Sequence, residues 1–276
     1  MLMNFTKMHG LGNDFVVIDA INQSISLSEQ QIRKLADRNF GIGFDQLLMV
    51  DKPMTANADF KYRIFNADGS EVAQCGNGAR CFARFVRDKG LTDKDEVIVD
   101  TDAGQLVLRF DAEGLITVNM GVPRHAPQQI PLLADAEAVS YIAPLSSGEL
   151  RFSAVSMGNP HAVILVDDVN TAPVAVVGAE MESHSLFPQR ANIGFMQIIN
   201  RQQVKLRVYE RGAAETLACG SGACGAVVAG IELGLLDQTV QVSLPGGDLK
   251  INWQGRGQPV LMTGPAVSVY EGQINL

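Results

Sequence analysis

Glu71-Val-Ala-Gln-Cys75-Gly-Asn-Gly-Ala-Arg80 and Glu215-Thr-Leu-Ala-Cys219-Gly-Ser-Gly-Ala-Cys224 are two versions of one motif, 144 residues apart. Each reads as a strand end, an acidic turn, Cys-Gly-x-Gly and a helix start. The match continues to Gly90-Leu91 and Gly234-Leu235. A second pair of blocks stands 146 residues apart: Gly12-Asn13 before Phe15–Ile18, and Gly158-Asn159 before Ala162–Leu165. A third, Ile42-Gly43-Phe44-Asp45-Gln46 against Ile193-Gly194-Phe195-Met196-Gln197, is offset by 151. Three collinear matches point to a tandem duplication. We place the boundary near Met120–Pro123. Residues 1–120 with 264–276 then form an N-terminal domain carrying Cys75, and residues 121–263 a C-terminal domain carrying Cys219.

Around these blocks the chain reads as short β-rich runs. They cover 15–19, 46–50, 60–65, 96–101, 105–110 and 115–120 in the first half. In the second half they cover 162–166, 194–199, 204–209, 239–244 and 249–253. Each half has one glycine-started helix, over about 76–89 and 220–233. Only Glu232 is charged between Gly220 and Leu236, so the second helix must be wrapped on every side. The first carries Arg80, Arg84 and Arg87, which need an exposed or paired face. Ser28 to Asn39 reads as a peripheral helix, with Ser28 as N-cap and Gln31 closing a capping box. Residues 123–150 show no clear pattern and are expected to be irregular. The fold class is α+β, with a sheet curled around a central helix in each half.

Composition narrows the partners. Hydrophobic residues make up 46% and charged residues 19%, a globular balance. With 22 Lys plus Arg against 30 Asp plus Glu, the net charge is −8. That argues against nucleic acid and against an anionic membrane surface, both of which need a basic face. No apolar leader and no run of 18 apolar residues is visible, so a cytoplasmic protein is expected. Four cysteines are too few for a disulfide scaffold.

The first amides of a helix lack intrahelical partners and, with the helix dipole, form an anion site. A cysteine placed there has its thiolate stabilised. Cys75 and Cys219 therefore read as activated thiols beside anion cradles. Cys81 and Cys224 fall inside the helices without counterparts in the repeat, and read as small core residues. The cysteine spacings do not suit a zinc site, and no metal is expected. Neither a Walker loop nor a dinucleotide-binding βαβ unit is present. Glu71 and Glu215 align, which suggests a structural, capping role.

Met8–Phe15, Cys75–Cys81, Gly158–His161, Glu210–Gly212 and Ala218–Gly222 together resemble the diaminopimelate epimerase family. The resemblance spans essentially the whole chain in the expected order. It implies an isomerase that interconverts LL- and meso-diaminopimelate, a small-molecule substrate of lysine and peptidoglycan-precursor biosynthesis, without pyridoxal phosphate or metal. It implies two pseudo-symmetric domains, each a mixed β-barrel-like sheet around a central helix, with the site in the cleft between. Cys75 and Cys219 would be the acid/base pair. The amides of Gly76, Asn77, Gly220 and Ser221 would take the α-carboxylate. The resemblance places Asn13, Gln46, Asn66, Asn159, Asn192, Glu210 and Arg211 around the substrate. Of these, Arg211 would fork the distal carboxylate, while Gln46 and Glu210 would hold an ammonium. His161 and Glu210 would tune the cysteines. The run Val267–Gly272, with Tyr270, resembles a homodimer edge, although a closing strand of the N-terminal barrel fits it equally. A proline or hydroxyproline racemase shares this layout of two cysteines, but it would leave Arg211 and three asparagines unexplained.

Overall fold

Pairing begins at once in the computed structural model, which describes residues 2–72 and 76–276. β1 (Leu2–Gly10) and β2 (Asn13–Asp19) form a hairpin. Its two turn residues, Leu11 and Gly12, have φ of 59° and 89°. That left-handed pair matches the strand twist of a tight hairpin and sets the direction of Asn13. α1 (Glu29–Ala36) opens on the expected capping box: the Ser28 hydroxyl accepts from the Gln31 amide, and the Gln31 side chain accepts from the Ser28 amide. β3 (Gln46–Asp51) then lies parallel to β2, and β4 (Phe60–Asn66) antiparallel to β3. A short β5 (Glu71–Val72) precedes α2 (Gly76–Asp88). β6 (Glu96–Thr101) returns parallel to β4, followed by antiparallel β7 (Gly104–Phe110) and β8 (Ile116–Asn119). The last strand of the chain, β18 (Val267–Asn275), pairs antiparallel with β1.

These elements make one compact unit, Met1–Asn119 with Thr263–Leu276. Its strand order is β18-β1-β2-β3-β4-β6-β7-β8. α2 touches β1, β2, β3, β4, β7, β8 and β18, so the sheet wraps it. Its cations are paired, not spread over a surface. Arg80 is fully buried and donates to the Pro265 carbonyl and the Asn77 side-chain oxygen, at 3.1 Å each. Arg84 pairs with Asp88, while Arg87 pairs with Asp95 and lies 3.7 Å from the centre of the Phe110 ring.

The second unit, Met120–Met262, repeats the plan. After a short 3₁₀ turn at Pro127–Gln129 come the hairpin β9 (Tyr141–Leu145) and β10 (Gly148–Ser156), then β11 (Pro160–Leu165). α3 (Val174–Glu182) leads to β12 (Asn192–Asn200), parallel to β11. β13 (Gln203–Glu210), the short β14 (Ala214–Thr216) and α4 (Gly220–Glu232) follow. β15 (Thr239–Leu244) is parallel to β13, and β16 (Gly247–Trp253) is antiparallel to β15. β17 (Val260–Gly264) ends the series, with Val260 exchanging backbone hydrogen bonds with Met120 and Gly121. Ten of the thirteen residues of α4 are buried, and the helix touches β10, β11, β12, β13 and β16.

The structure corrects the sequence reading in four places. The parallel pairs Phe15–Gln46 and His161–Asn192 are both related by 146 residues. Gln46 therefore corresponds to Asn192, and the match of Gln46 to Gln197 is coincidental. Among the described residues, Glu71 and Glu215 are seen bracing strands and not capping a helix. They accept twin bonds from Arg63 (2.8 and 3.1 Å) and Arg207 (2.6 and 2.8 Å), bracing the same hairpin in each unit. Residues 123–150 are not all irregular, since β9 and the start of β10 lie there. β1 and α3 were not legible at all: α3 opens on an apolar run, Val174–Ala179, that reads as well as a strand. Among the described residues no helix is long and apolar enough to cross a membrane.

Close approach explains why α3 carries a helix-weakening glycine. A Cβ on Gly178 would stand 2.7 Å from the Tyr209 Cβ and 2.8 Å from its Cγ. Gly178→Ala is expected to lower stability by about 1–3 kcal/mol through overpacking, despite its better helix propensity. Chemical denaturation of the variant against wild type checks this.

Candidate active site

In the second unit the polar groups converge on the start of α4. Cys219 is the N-cap of that helix, with φ −119° and ψ 107°, and only 4% of it is exposed. Its Sγ–H donates to Glu210 Oε2 at 3.1 Å, and the sulfur lies 3.7 Å from Ser221 Oγ. The other Glu210 oxygen accepts from Thr216 Oγ1 at 2.6 Å. The strands β13 and β14 pair Tyr209 with Glu215, which holds Glu210 at the turn just ahead of the cysteine. Small residues let the helix come this near. A Cβ on Gly222 would stand 3.2 Å from Cys219 Sγ, and one on Gly225 3.3 Å from the His161 ring.

Burial pushes the Cys219 thiol well above its ordinary value, and the neighbouring Glu210 carboxylate pushes it further. Hydrogen bonds from Ser221 and from the Gly222 amide offset this only in part. The sequence reading expected the opposite, a thiol acidified by the helix terminus. Enclosure and an adjacent carboxylate outweigh the helix dipole, so Cys219 stands as a neutral thiol.

Asn159 precedes β11 and reaches both ways. Its Nδ2 donates to Ser221 Oγ at 3.4 Å, and its Oδ1 lies 2.9 Å from His161 Nε2. His161 is 1% exposed. Burial, helped by the nearby Arg211 charge, holds its pKa down at about 3, so it is neutral. Asn192 opens β12 beside it, donating to the Pro160 carbonyl at 3.2 Å and accepting from the Arg211 amide at 3.0 Å. The Arg211 side chain is exposed, with Nη1 3.1 Å from the Gln189 carbonyl.

The first unit holds a matching set. Asn13 opens β2, its Oδ1 accepting from Asn77 Nδ2 at 3.3 Å and its Nδ2 donating to Asp45 Oδ2 at 2.8 Å. Asn77 is the second residue of α2, which begins at Gly76. Gln46 and Asn66 face each other across β3 and β4, with Gln46 Nε2 2.9 Å from Asn66 Oδ1. Thus Asn13–Asn77 repeats as Asn159–Ser221, a strand-start amide tied to the second residue of the helix. Cys75 lies outside the described residues. Tyr270, on β18, is half-exposed and meets the Phe5 ring edge-on at 6.1 Å.

The family model for diaminopimelate epimerase matches residues 5–126 and 153–269. The chain belongs to that family. It is 59% identical to a diaminopimelate epimerase of Chromobacterium violaceum, over 100% of both chains. It is 56% identical to one from Nitrosospira multiformis, over 100% of this chain and 99% of that one. Among solved structures it is similar to a hydroxyproline epimerase from Agrobacterium vitis, with a TM-score of 0.70 and 15% identity over 99% and 92% of the two chains, which shows a shared fold.

The residues that the diaminopimelate epimerase resemblance implies fall into two sets. Asn13 and Asn77, and Gln46 and Asn66, are joined in the first unit. Asn159, His161 and Ser221, Asn192 and Arg211, and Glu210 and Cys219 are joined in the second. Sequence reasoning passed over the charges that hold Asn13. Asp45 is gripped by Arg38, which also bonds Asp14 (2.8 Å to each), and Asp14 pairs with Lys7. Burial alone would raise Asp14, but Arg38 and Lys7 bring it to about 2. Only the position of Asp45 beside Gln46 hinted at this network.

His161 makes the fold acid-sensitive. Its folded pKa of about 3 lies below its ordinary 6.5, so the unfolded chain takes up the proton first as pH falls. This contribution is intact above about pH 6.5 and is lost towards pH 3, at up to about 1.4 kcal/mol per pH unit. His161→Asn should flatten that limb, as read by denaturant midpoints at pH 7, 5.5 and 4.5.

Proposed function

We propose that this chain converts LL-2,6-diaminopimelate to the meso form without metal or organic cofactor, using Cys75 and Cys219 as an acid/base pair. The observation that carries this reading is the buried Cys219 sulfur, 3.1 Å from Glu210 Oε2 at the start of α4, in a member of this family. Inverting a Cα centre takes a proton from one face and returns one to the other. One side chain serves both faces poorly, and a duplicated domain supplies two sulfurs. One must be a thiolate and the other a thiol. Cys219 holds its proton in this state, so it is the donor, and the thiolate role falls to Cys75. In the reverse direction the roles exchange.

The carbanion formed at Cα needs stabilisation. The first amides of the two helices, at Gly76, Asn77, Gly220 and Ser221, are suited to the α-carboxylate. Such a preorganised donor commonly contributes about 3 kcal/mol to the transition state. His161 stays neutral and tunes the site by holding Asn159. The distal half of the substrate, a second amino-acid head, falls to Asn66, Asn159, Asn192 and Arg211, with Gln46 and Glu210 for an ammonium. Arg211 suits a carboxylate because its planar fork binds both oxygens. We read the enzyme as a cytoplasmic homodimer, with Val267, Val269 and Tyr270 on exposed β18 as the contact.

Incubation with LL-diaminopimelate in deuterium oxide is expected to place deuterium at Cα and yield the meso isomer. Exchange of proline instead would identify the racemase reading. Cys219→Ala should abolish turnover, whereas Cys81→Ala and Cys224→Ala should stay within about tenfold, because buried helix positions act mainly on stability.

Arg211→Met should lower kcat/KM at least about a hundredfold, roughly 2.7 kcal/mol of transition-state binding, with folding intact. Steady-state kinetics with circular dichroism decide this, and near-normal kcat/KM removes Arg211 as the distal anchor.

A further inference from the structure

Glu182 is the last residue of α3 and is 4% exposed. A buried carboxylate is costly unless its oxygens are satisfied. One oxygen of Glu182 accepts the Gly212 amide at 2.9 Å. The other pairs with Arg190 at 2.9 Å. Arg190 has φ 58°, a left-handed conformation that a long side chain rarely adopts. The Glu182 carbonyl also accepts from the Ala191 amide at 3.1 Å, folding residues 183–190 back beside the helix end.

All of this bears on one turn. Residues 211–215 are exposed, with φ of 74° at Gly212 and 60° at Ala214. Nothing packs within 4 Å of a Cβ placed on Gly212. Yet consecutive amides of this turn are pinned, Arg211 N to Asn192 and Gly212 N to Glu182. The Arg211 guanidinium is steadied by the Gln189 carbonyl from the same returning segment. An exposed turn, open around Gly212, is thus tied to a buried carboxylate.

We propose that Glu182 is a positioning residue for Arg211: by holding the Gly212 amide, with Arg190 as its counter-ion, it fixes the backbone that presents the guanidinium to the distal carboxylate. This rests on the reading of Arg211 given above. The role assigned here is uniform binding, a grip on the distal carboxylate shared by ground and transition states, and loss of such a contact raises KM and spares kcat.

Glu182→Leu is therefore expected to raise KM for LL-diaminopimelate at least about tenfold, with kcat within about threefold. Arg190→Asn keeps a residue that tolerates the left-handed backbone and removes the counter-ion while leaving the Gly212 contact in place, and circular dichroism checks that the variant folds. It should raise KM at least about threefold, again with kcat unchanged. In an Arg211→Met background both substitutions should add less than about twofold, because residues acting through one group are not additive. A general loss of structure would instead lower kcat and multiply with Arg211→Met. KM at the wild-type value in Arg190→Asn and below tenfold in Glu182→Leu overturns the proposal, as does multiplicative loss in the double variants. If Arg211→Met itself keeps normal kcat/KM, the reading of Arg211 fails first, and that outcome is distinct.

Discussion

Helix α4 has no polar side to offer water, so it exists only where strands cover it. Five strands of its own unit do so, and glycines at 222 and 225 let the helix lie against Val155, His161 and Val208. Enclosing the helix also encloses its first turn. That turn carries Cys219, and the burial that stabilises the fold raises the cost of a negative sulfur. The same event that builds the core thus favours the protonated form of the Cys219 thiol. Glu210 reinforces it, because a carboxylate held 3.1 Å away disfavours a second negative charge.

Duplication gave the two units one scaffold, but each holds its strand-start asparagine by different physics. Asn13 is oriented by charge: Asp45, Arg38, Asp14 and Lys7 form a partly exposed network around it. Asn159 is oriented by His161, a fully enclosed ring that remains neutral. Charge networks near a surface weaken with salt and lose their support once their carboxylates are protonated. A buried neutral imidazole is insensitive to salt and fails in acid. The braces Arg63–Glu71 and Arg207–Glu215, by contrast, are the same device twice. They sit on the hairpin leading into each helix, where both units need the same rigidity.

Arg211 is likewise held at two levels, side chain and backbone. Arg211 itself is exposed and would be unremarkable on a surface. Its distinction lies in the backbone beneath it, which is tied to Asn192 and to a buried Glu182 on a different element. A side chain that must swing onto a ligand is best mounted on a backbone that does not move, since any slack there is ordered at the expense of affinity.

The repeated Cys-Gly-x-Gly motif made the duplicated architecture and both central helices legible from residue order alone. Those features are local: a glycine-rich helix start, a capping box at Ser28, an apolar helix that must be wrapped. The motifs that carry the family resemblance were legible for the same reason, as short contiguous runs such as Gly158–His161 and Glu210–Gly212. Contacts between distant residues were not. β1, α3, the bracing of Glu71 and Glu215, and the Asp45 and Glu182 tethers all join positions whose pairing no local pattern encodes. Nor was the charge state of Cys219. The helix terminus that sequence reveals lowers a thiol's pKa, but burial and the fold-delivered Glu210 raise it. Desolvation depends on everything packed around a group, and that is known only once the chain has closed over it.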